Sequence, residues 1–131
     1  MSLRPRIPPE QVITNGDMSA ATITSTVTII QSITLGTYSF SWSGTSPLGN
    51  LAIQISDDYS VYPNGVVNNA GTWNSVYVVL NGSSTVNAIP VSGNTGNGIV
   101  EWSSGAYAIR TVYTKTSGTG TLQAFFAGKV A

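Results

Sequence analysis

The sequence predicts an all-β protein: an antiparallel β-sandwich of jelly-roll or Greek-key type, with eight or nine short strands and an extended N-terminal arm. Three observations point there. Apolar residues recur at every second position through much of the chain, as they do in half-buried strands. Pairs that tolerate positive φ (Asn15-Gly16, Gly49-Asn50, Asn64-Gly65, Asn81-Gly82 and Asn97-Gly98) punctuate those runs. No stretch of about 10–12 residues carries a helical stripe.

Composition agrees with a folded β chain. The 131 residues have formal charge zero, five Lys+Arg against five Asp+Glu, and only 8% are charged; a typical soluble domain has roughly a quarter. Ser, Thr, Asn and Gly supply 57 of the 131 residues, a polarity that can accompany disorder. Twelve aromatics, many β-branched residues and zero net charge argue the other way. A single domain of this length hides roughly two-thirds of its unfolded surface, enough for a core.

Taken in order, residues 1–10 (MSLRPRIPPE) stand apart, with Pro5, Pro8, Pro9, Arg4, Arg6 and Glu10. Proline cannot donate to a strand ladder, so this segment is expected to be an extended arm, with residues 11–131 forming the sandwich. Leu3 and Ile7 can fill small apolar pockets on a partner, and Arg4 and Arg6 can pair with its carboxylates. In ATITSTVTII, Ile23, Val27 and Ile29 share one parity while threonines take the other. Tyr38, Phe40 and Trp42 alternate with serines, and Leu51, Ile53 and Ile55 alternate with Ala52 and Gln54. Further strands are expected at 72–80, 86–91, 98–103, 106–115 and 121–129. Trp42 and Trp102 read as core or core edge. Two strands break the alternation: Val76–Leu80 is apolar on both parities, and Phe125 and Phe126 are adjacent, so their rings leave opposite faces. One face packs the core and the other calls for cover, which makes Val78, Phe125 and Phe126 candidates for an oligomer interface.

Much chemistry is excluded by composition. There is no Cys, hence no disulfide, thiolate metal site or cysteine nucleophile, and no His, the commonest general base. The carboxylates are Glu10, Asp17, Asp57, Asp58 and Glu101. Glycoside hydrolysis needs two facing carboxyl groups, and no spacing here brings a pair together. Adjacent Asp57 and Asp58 lack the EF-hand spacing and read as turn residues. No GxSxG elbow occurs, and SGNTGNG lacks the GK[ST] ending of a phosphate loop. Neutral balance leaves no electrostatic footprint for nucleic acid, and no apolar run approaches the ~20 residues of a membrane-spanning helix. Tyr59, Tyr62 and Trp73 flank DDYSVYPNG and could stack on a sugar, although such rings are also ordinary core and interface residues.

Two stretches carry a family resemblance. YSFSWSGTSPLGNLAIQISDD has an aromatic-rich strand, W-x-G, a Pro-x-Gly turn and an apolar strand ending in acids. YAIRTVYTKTSGTGTLQAFFAGK has an R-x-V-Y-T strand, SGTGTL as a hairpin and an aromatic last strand closing in Lys. Together they span 38–129, and in this order they resemble small phage-encoded β-sandwich proteins of the virion. The resemblance implies a bacteriophage structural protein, made in the host cytoplasm and resident in the virion: a head decoration, cement or minor capsid protein. Its expected partners are the major capsid protein or other virion proteins, and its own copies as a dimer or trimer. No catalytic residue, metal or cofactor carries over. The alternative is a receptor- or carbohydrate-binding sandwich of a phage tail or fibre, using Tyr59, Tyr62 and Trp73.

Overall fold

The structure, a computed structural model, describes residues 6–130. Leu3 and Arg4, two of the four expected arm contacts, lie outside that range. The described chain is all-β, with twelve strands where eight or nine were expected: β1 Arg6–Asp17, β2 Thr22–Thr24, β3 Thr28–Ile29, β4 Leu35–Ser56, β5 Ser60–Val61, β6 Val67–Asn69, β7 Asn74–Ser75, β8 Val78–Leu80, β9 Ser84–Val86, β10 Ile89–Val91, β11 Thr95–Ser103 and β12 Ala108–Lys129. Ten of them form one sheet with the order β1-β12-β4-β11-β8-β9. β7 and β10 also pair with β4, and β2 and β3 with β12; β5 and β6 form a separate hairpin. All pairings are antiparallel.

The excess of strands over the expectation comes from short pieces. The two longest elements run the other way, each merging two strands expected to be separate. β4 and β12 are 22 residues each and pair from Ala108↔Ser56 to Lys129↔Leu35. Where a turn was expected in SGTSPLG and a hairpin in SGTGTL, both strands continue through a bulge, with register shifts between Lys115 and Thr119. Ser46 (φ 46°) and Gly118 (φ 83°) absorb the irregularity. A Cβ on Gly118 would collide with the Ser46 carbonyl oxygen, so the backbones approach there as only glycine permits. The bulge also switches the pleat. Buried residues are Tyr38 and Phe40 before it in β4, and Leu51 and Ile53 after it. In β12 they are Ile109, Thr111 and Tyr113 before it, and Leu122, Ala124 and Phe126 after it. β12 carries one extra residue between Lys115 and Ser117, and β4 one between Leu48 and Thr45, so each strand exchanges its two faces while the register between them is restored.

The sheet doubles back at this bulge. Leu35 pairs with Ser103, and Ser56 with Ala108. Residues 104–107 join Ser103 to Ala108, and such a link reaches at most about 19 Å. A straight strand of 22 residues would span roughly 70 Å. Strand β4 therefore returns towards its own start, and one hydrophobic cluster draws on both halves, among them Tyr38, Phe40, Trp102, Leu122 and Phe126 with Leu51, Ile53, Ile109 and Tyr113. Phe126 packs edge-on against Tyr38 (centroids 5.3 Å apart) and stacks on Trp102 (5.8 Å). Burial pushes the Tyr38 hydroxyl well above its ordinary pKa, with the Glu10 carboxylate adding to the effect.

Three expectations need correction. The arm boundary at Glu10 falls inside β1: Arg6 pairs with Lys129, Ile7 with Gly128 and Glu10 with Phe126. The register skips between Ile7 and Glu10, across Pro8 and Pro9, because an edge strand accommodates prolines as an irregularity without ending. Ile7 packs against the core cluster instead of waiting for a partner's pocket. Secondly, Val78 and Phe126 are core residues, 3% and 0% exposed, and of the three interface candidates only Phe125 (42%) faces out. Thirdly, the strand expected through 20–30, over ATITSTVTII, breaks at Ser25. That buried serine accepts a hydrogen bond from the Thr111 amide at 2.9 Å and donates to the Thr26 carbonyl.

Deleting residues 2–9 should accordingly cost stability. The loss of two strand pairings and of the half-buried Ile7 amounts to about 1–3 kcal/mol, a fall in Tm of about 4–11 °C. Thermal unfolding of the truncated chain checks this, and an unchanged Tm contradicts it.

Candidate functional site

Two surface features emerge, one built on the β5–β6 hairpin and one on the outer face of the sheet. The hairpin is held at its base by the acids that follow β4. Asp58 Oδ1 accepts hydrogen bonds from Ser56 Oγ (2.8 Å) and the Thr72 amide (2.6 Å), and its Oδ2 accepts from Thr72 Oγ1 (2.9 Å). These donors, the Thr72 amide foremost, bring its pKa down to about 2 from an ordinary 3.8. Asp57 Oδ1 accepts from the Tyr107 amide at 3.1 Å, tying the same loop to the link before β12. The two acids are thus loop fasteners. A shallow depression beside them is lined by Ile55, Ser56, Thr72, Asn74 and Ala106.

Trp73 is fixed next to this base. Its Nε1 donates to the Ala70 carbonyl (2.8 Å), Tyr59 packs at 5.7 Å with planes tilted by 55°, and the Arg110 guanidinium lies 4.3 Å from the indole centroid. Arg110 Nε donates to Gln54 Oε1 at 2.9 Å, and partial burial lowers the Arg110 pKa. Of the three suggested platform residues, the structure brings Tyr59 and Trp73 together and engages them internally, the indole through a cation–π contact. Tyr62 projects separately on the hairpin, 52% exposed, with Val61, Val66 and Val67. Glu101 lies on β11 opposite Thr37 and Val79.

The second feature is assembled by strand register. Directly paired residues point to the same side of a sheet. One row therefore runs Gln11 (β1), Phe125 (β12), Ser39 (β4), Ile99 (β11). The rows beside it are Ala127, Thr37, Glu101, Val79 and Gln123, Ser41, Asn97. All face away from Phe126, Tyr38 and Val100, which are buried on the other side. Phe125 and Ile99 stand 42% and 44% exposed among small hydroxyl and amide residues. Sequence reasoning found Phe125 but missed Ile99, because its isolated strand carries no sign of which neighbour it stands beside.

No protein-family model matches the sequence, and no curated protein matches it. Among solved structures the fold is similar to the crystal structure of the SPBc2 prophage-derived protein YomS. The likeness has a TM-score of 0.60 over 97% of this chain and 96% of that one, at 8% sequence identity. At that identity what is shared is the fold.

The Asp58 fastening gives a pH dependence with a definite sign. Its folded pKa lies below the unfolded value, so the stabilisation is complete above pH 3.8 and is lost as pH falls through about 2. Hydrogen exchange of amides 59–73 should accelerate over that window, and Asp58→Asn should remove most of the pH response while leaving the sheet amides protected. Equal acceleration in wild type and variant would contradict this. Metal is expected to contribute nothing: a chelator or added Ca²⁺ should leave Tm within about 1 °C, where a bound ion would shift it further.

Proposed function

We propose that the chain is a bacteriophage structural protein: a head decoration, cement or minor capsid component that binds the capsid shell and its own copies in the virion, and not an enzyme. We read the doubled-back sheet with its shared core as a β-sandwich. The observation that carries the reading is the fold shared with a prophage-derived protein across nearly the full length of both chains, beside the sequence resemblance to small phage virion proteins. The outer face supports it physically. A surface of hydroxyls and amides around Phe125 and Ile99 can be buried against a neighbour without the heavy desolvation cost of charges. Few charges also mean weak long-range steering, which local and permanent assembly tolerates.

The second reading, a receptor- or carbohydrate-binding module of a tail or fibre, is favoured by the hairpin, whose Tyr62 is exposed above a fastened base. Copy number separates the two. Quantitative mass spectrometry of purified particles should find the chain at many copies, on a scale with the shell subunits. A handful of copies points to the tail module, and absence from particles overturns both.

A further inference from the structure

We propose that the groove at the start of β1 takes an extended acidic segment of a partner protein. An apolar residue of that segment lies between Ala127 and Pro8–Pro9, and a carboxylate two positions further on lies between Arg6 and Lys129. The proposal rests on the reading that the chain binds other virion proteins only for the source of the segment; it assigns the surface and the chemistry. The groove measures about 340 Å³, with Pro8 and Pro9 along the β1 side and Thr37 and Ala127 along the other. Ala127 and Thr37 are directly paired, as are Arg6 and Lys129 one row further on, so all four side chains share the outer face. Gly36 and Gly128, paired between those rows, line the groove with backbone. On the core side of Gly36 the Trp102 indole leaves no space for a Cβ, which braces this floor.

Charge selects an anion. Of the four cationic side chains among the described residues, Arg110 lies on Trp73 and donates to Gln54, and Lys115 donates to the Ser19 carbonyl. Arg6 and Lys129 instead stand directly opposite each other, both exposed, and no ion pair joins either to a carboxylate among the described residues. Like charges so placed repel, and a carboxylate between them removes that cost. The chain's own acids are placed elsewhere. Asp17, at the far end of β1, bonds Ser19; Glu10 is in the row of Phe126, on the core side; Asp57 and Asp58 fasten loops. Glu101 is on the outer face, in the row of Thr37 and Ala127 and roughly 10 Å from Ala127 across β4. It repels a carboxylate from that row, which favours the apolar residue there and the acid at the Arg6–Lys129 end.

Spacing selects an extended chain. Ala127 and Lys129 are two residues apart on β12, about 7 Å, and any extended peptide repeats at that distance. An exposed ion pair alone is worth little, and an open groove holds one apolar side chain weakly. A segment joining the two features engages both, which a free small anion cannot. Ile99 and Glu101 of a second copy have the same spacing, but they are fixed in β11 between β4 and β8, whose bulk keeps them out of the groove. Only a free segment fits.

The test is amide-shift NMR of the full chain titrated with the end-blocked peptide Gly-Ser-Leu-Ser-Asp-Ser-Gly and with its isomer Gly-Ser-Leu-Asp-Ser-Ser-Gly. The first should shift the amides of Arg6, Thr37 and residues 127–129 and bind about threefold or more tightly than the isomer. Binding should weaken as ionic strength rises from about 0.05 to 0.5 M. Arg6→Gln and Lys129→Gln should each weaken it about twofold to fivefold while the cooperative melt is unchanged. Ala127→Trp, which fills the groove, should weaken it about tenfold or more. Reversing both cations, Arg6→Glu with Lys129→Glu, should transfer the preference to Gly-Ser-Leu-Ser-Lys-Ser-Gly, a transfer that a purely structural role for them does not produce. Equal binding of the two isomers, shifts elsewhere, or indifference to Arg6 and Lys129 overturns the proposal. So does tighter binding of a single-stranded oligonucleotide at the same amides, which points to a nucleic acid, or a dimer of the free chain that the reversed pair dissociates, which points to a second copy. Binding that rises about tenfold on deletion of residues 2–5 overturns it too, by making that segment the occupant. Peptide binding by a chain absent from particles would sink the virion reading and leave this one intact. An abundant virion protein that ignores the peptide would do the reverse.

Discussion

Everything in the molecule hangs on the continuous pairing of β4 with β12. The two strands supply the centre of the sheet, carry most of the large core residues and give every other strand of that sheet, directly or through a neighbour, an edge to pair with. The bulge at Ser46 and Gly118 lets one ladder serve both halves of the fold. It exchanges the buried and exposed parities at the place where the sheet turns back, so apolar side chains stay inside on either side of the bend. Without the exchange, one half would present Ser39, Ser41 and Gln123 to the core and Tyr38, Phe40 and Leu122 to water.

The sparse charges are used locally. Asp57 and Asp58 fasten loops, Arg110 lies on an indole, and Lys115 donates to the Ser19 carbonyl at 3.1 Å near Asp17. Hydroxyls and amides cover the remaining sheet surface. Such a surface costs less to bury than a charged one.

Strand content was legible because period two survives locally. Tyr38–Trp42 and Leu51–Ile55 both lie in strand β4. What the sequence could not distinguish was a bulge from a turn, since both draw on Gly, Ser, Asn and Pro; only the facing strand decides, and it lies some 70 residues away in the chain. Pro8 and Pro9 misled for a related reason, because an edge position needs no donor on its open side. The two-sided apolar strands were read correctly as two-faced, yet Val78 and Phe126 were offered to a partner when the doubled sheet already enclosed them. At the hairpin the aromatic candidates were visible as residue types. The stacking of Arg110 on Trp73 was not, because that contact joins segments that only the folded sheet brings together.

The position of β1 has a kinetic consequence. Its ladder partner is the far half of β12, so Arg6 must find Lys129 and Asp17 must find Thr121. During synthesis the first strand emerges more than a hundred residues ahead of its complement, and it waits as an unpaired edge until residue 129 has left the ribosome. Pairings so distant in sequence carry a large loop-closure entropy and slow the search for the native state. Such a strand is open to the wrong neighbour in the meantime. Two successive prolines lacking amide donors, followed by Glu10, are therefore well placed near its start: they discourage intermolecular pairing during the delay and are simply bypassed by the register once the proper partner arrives.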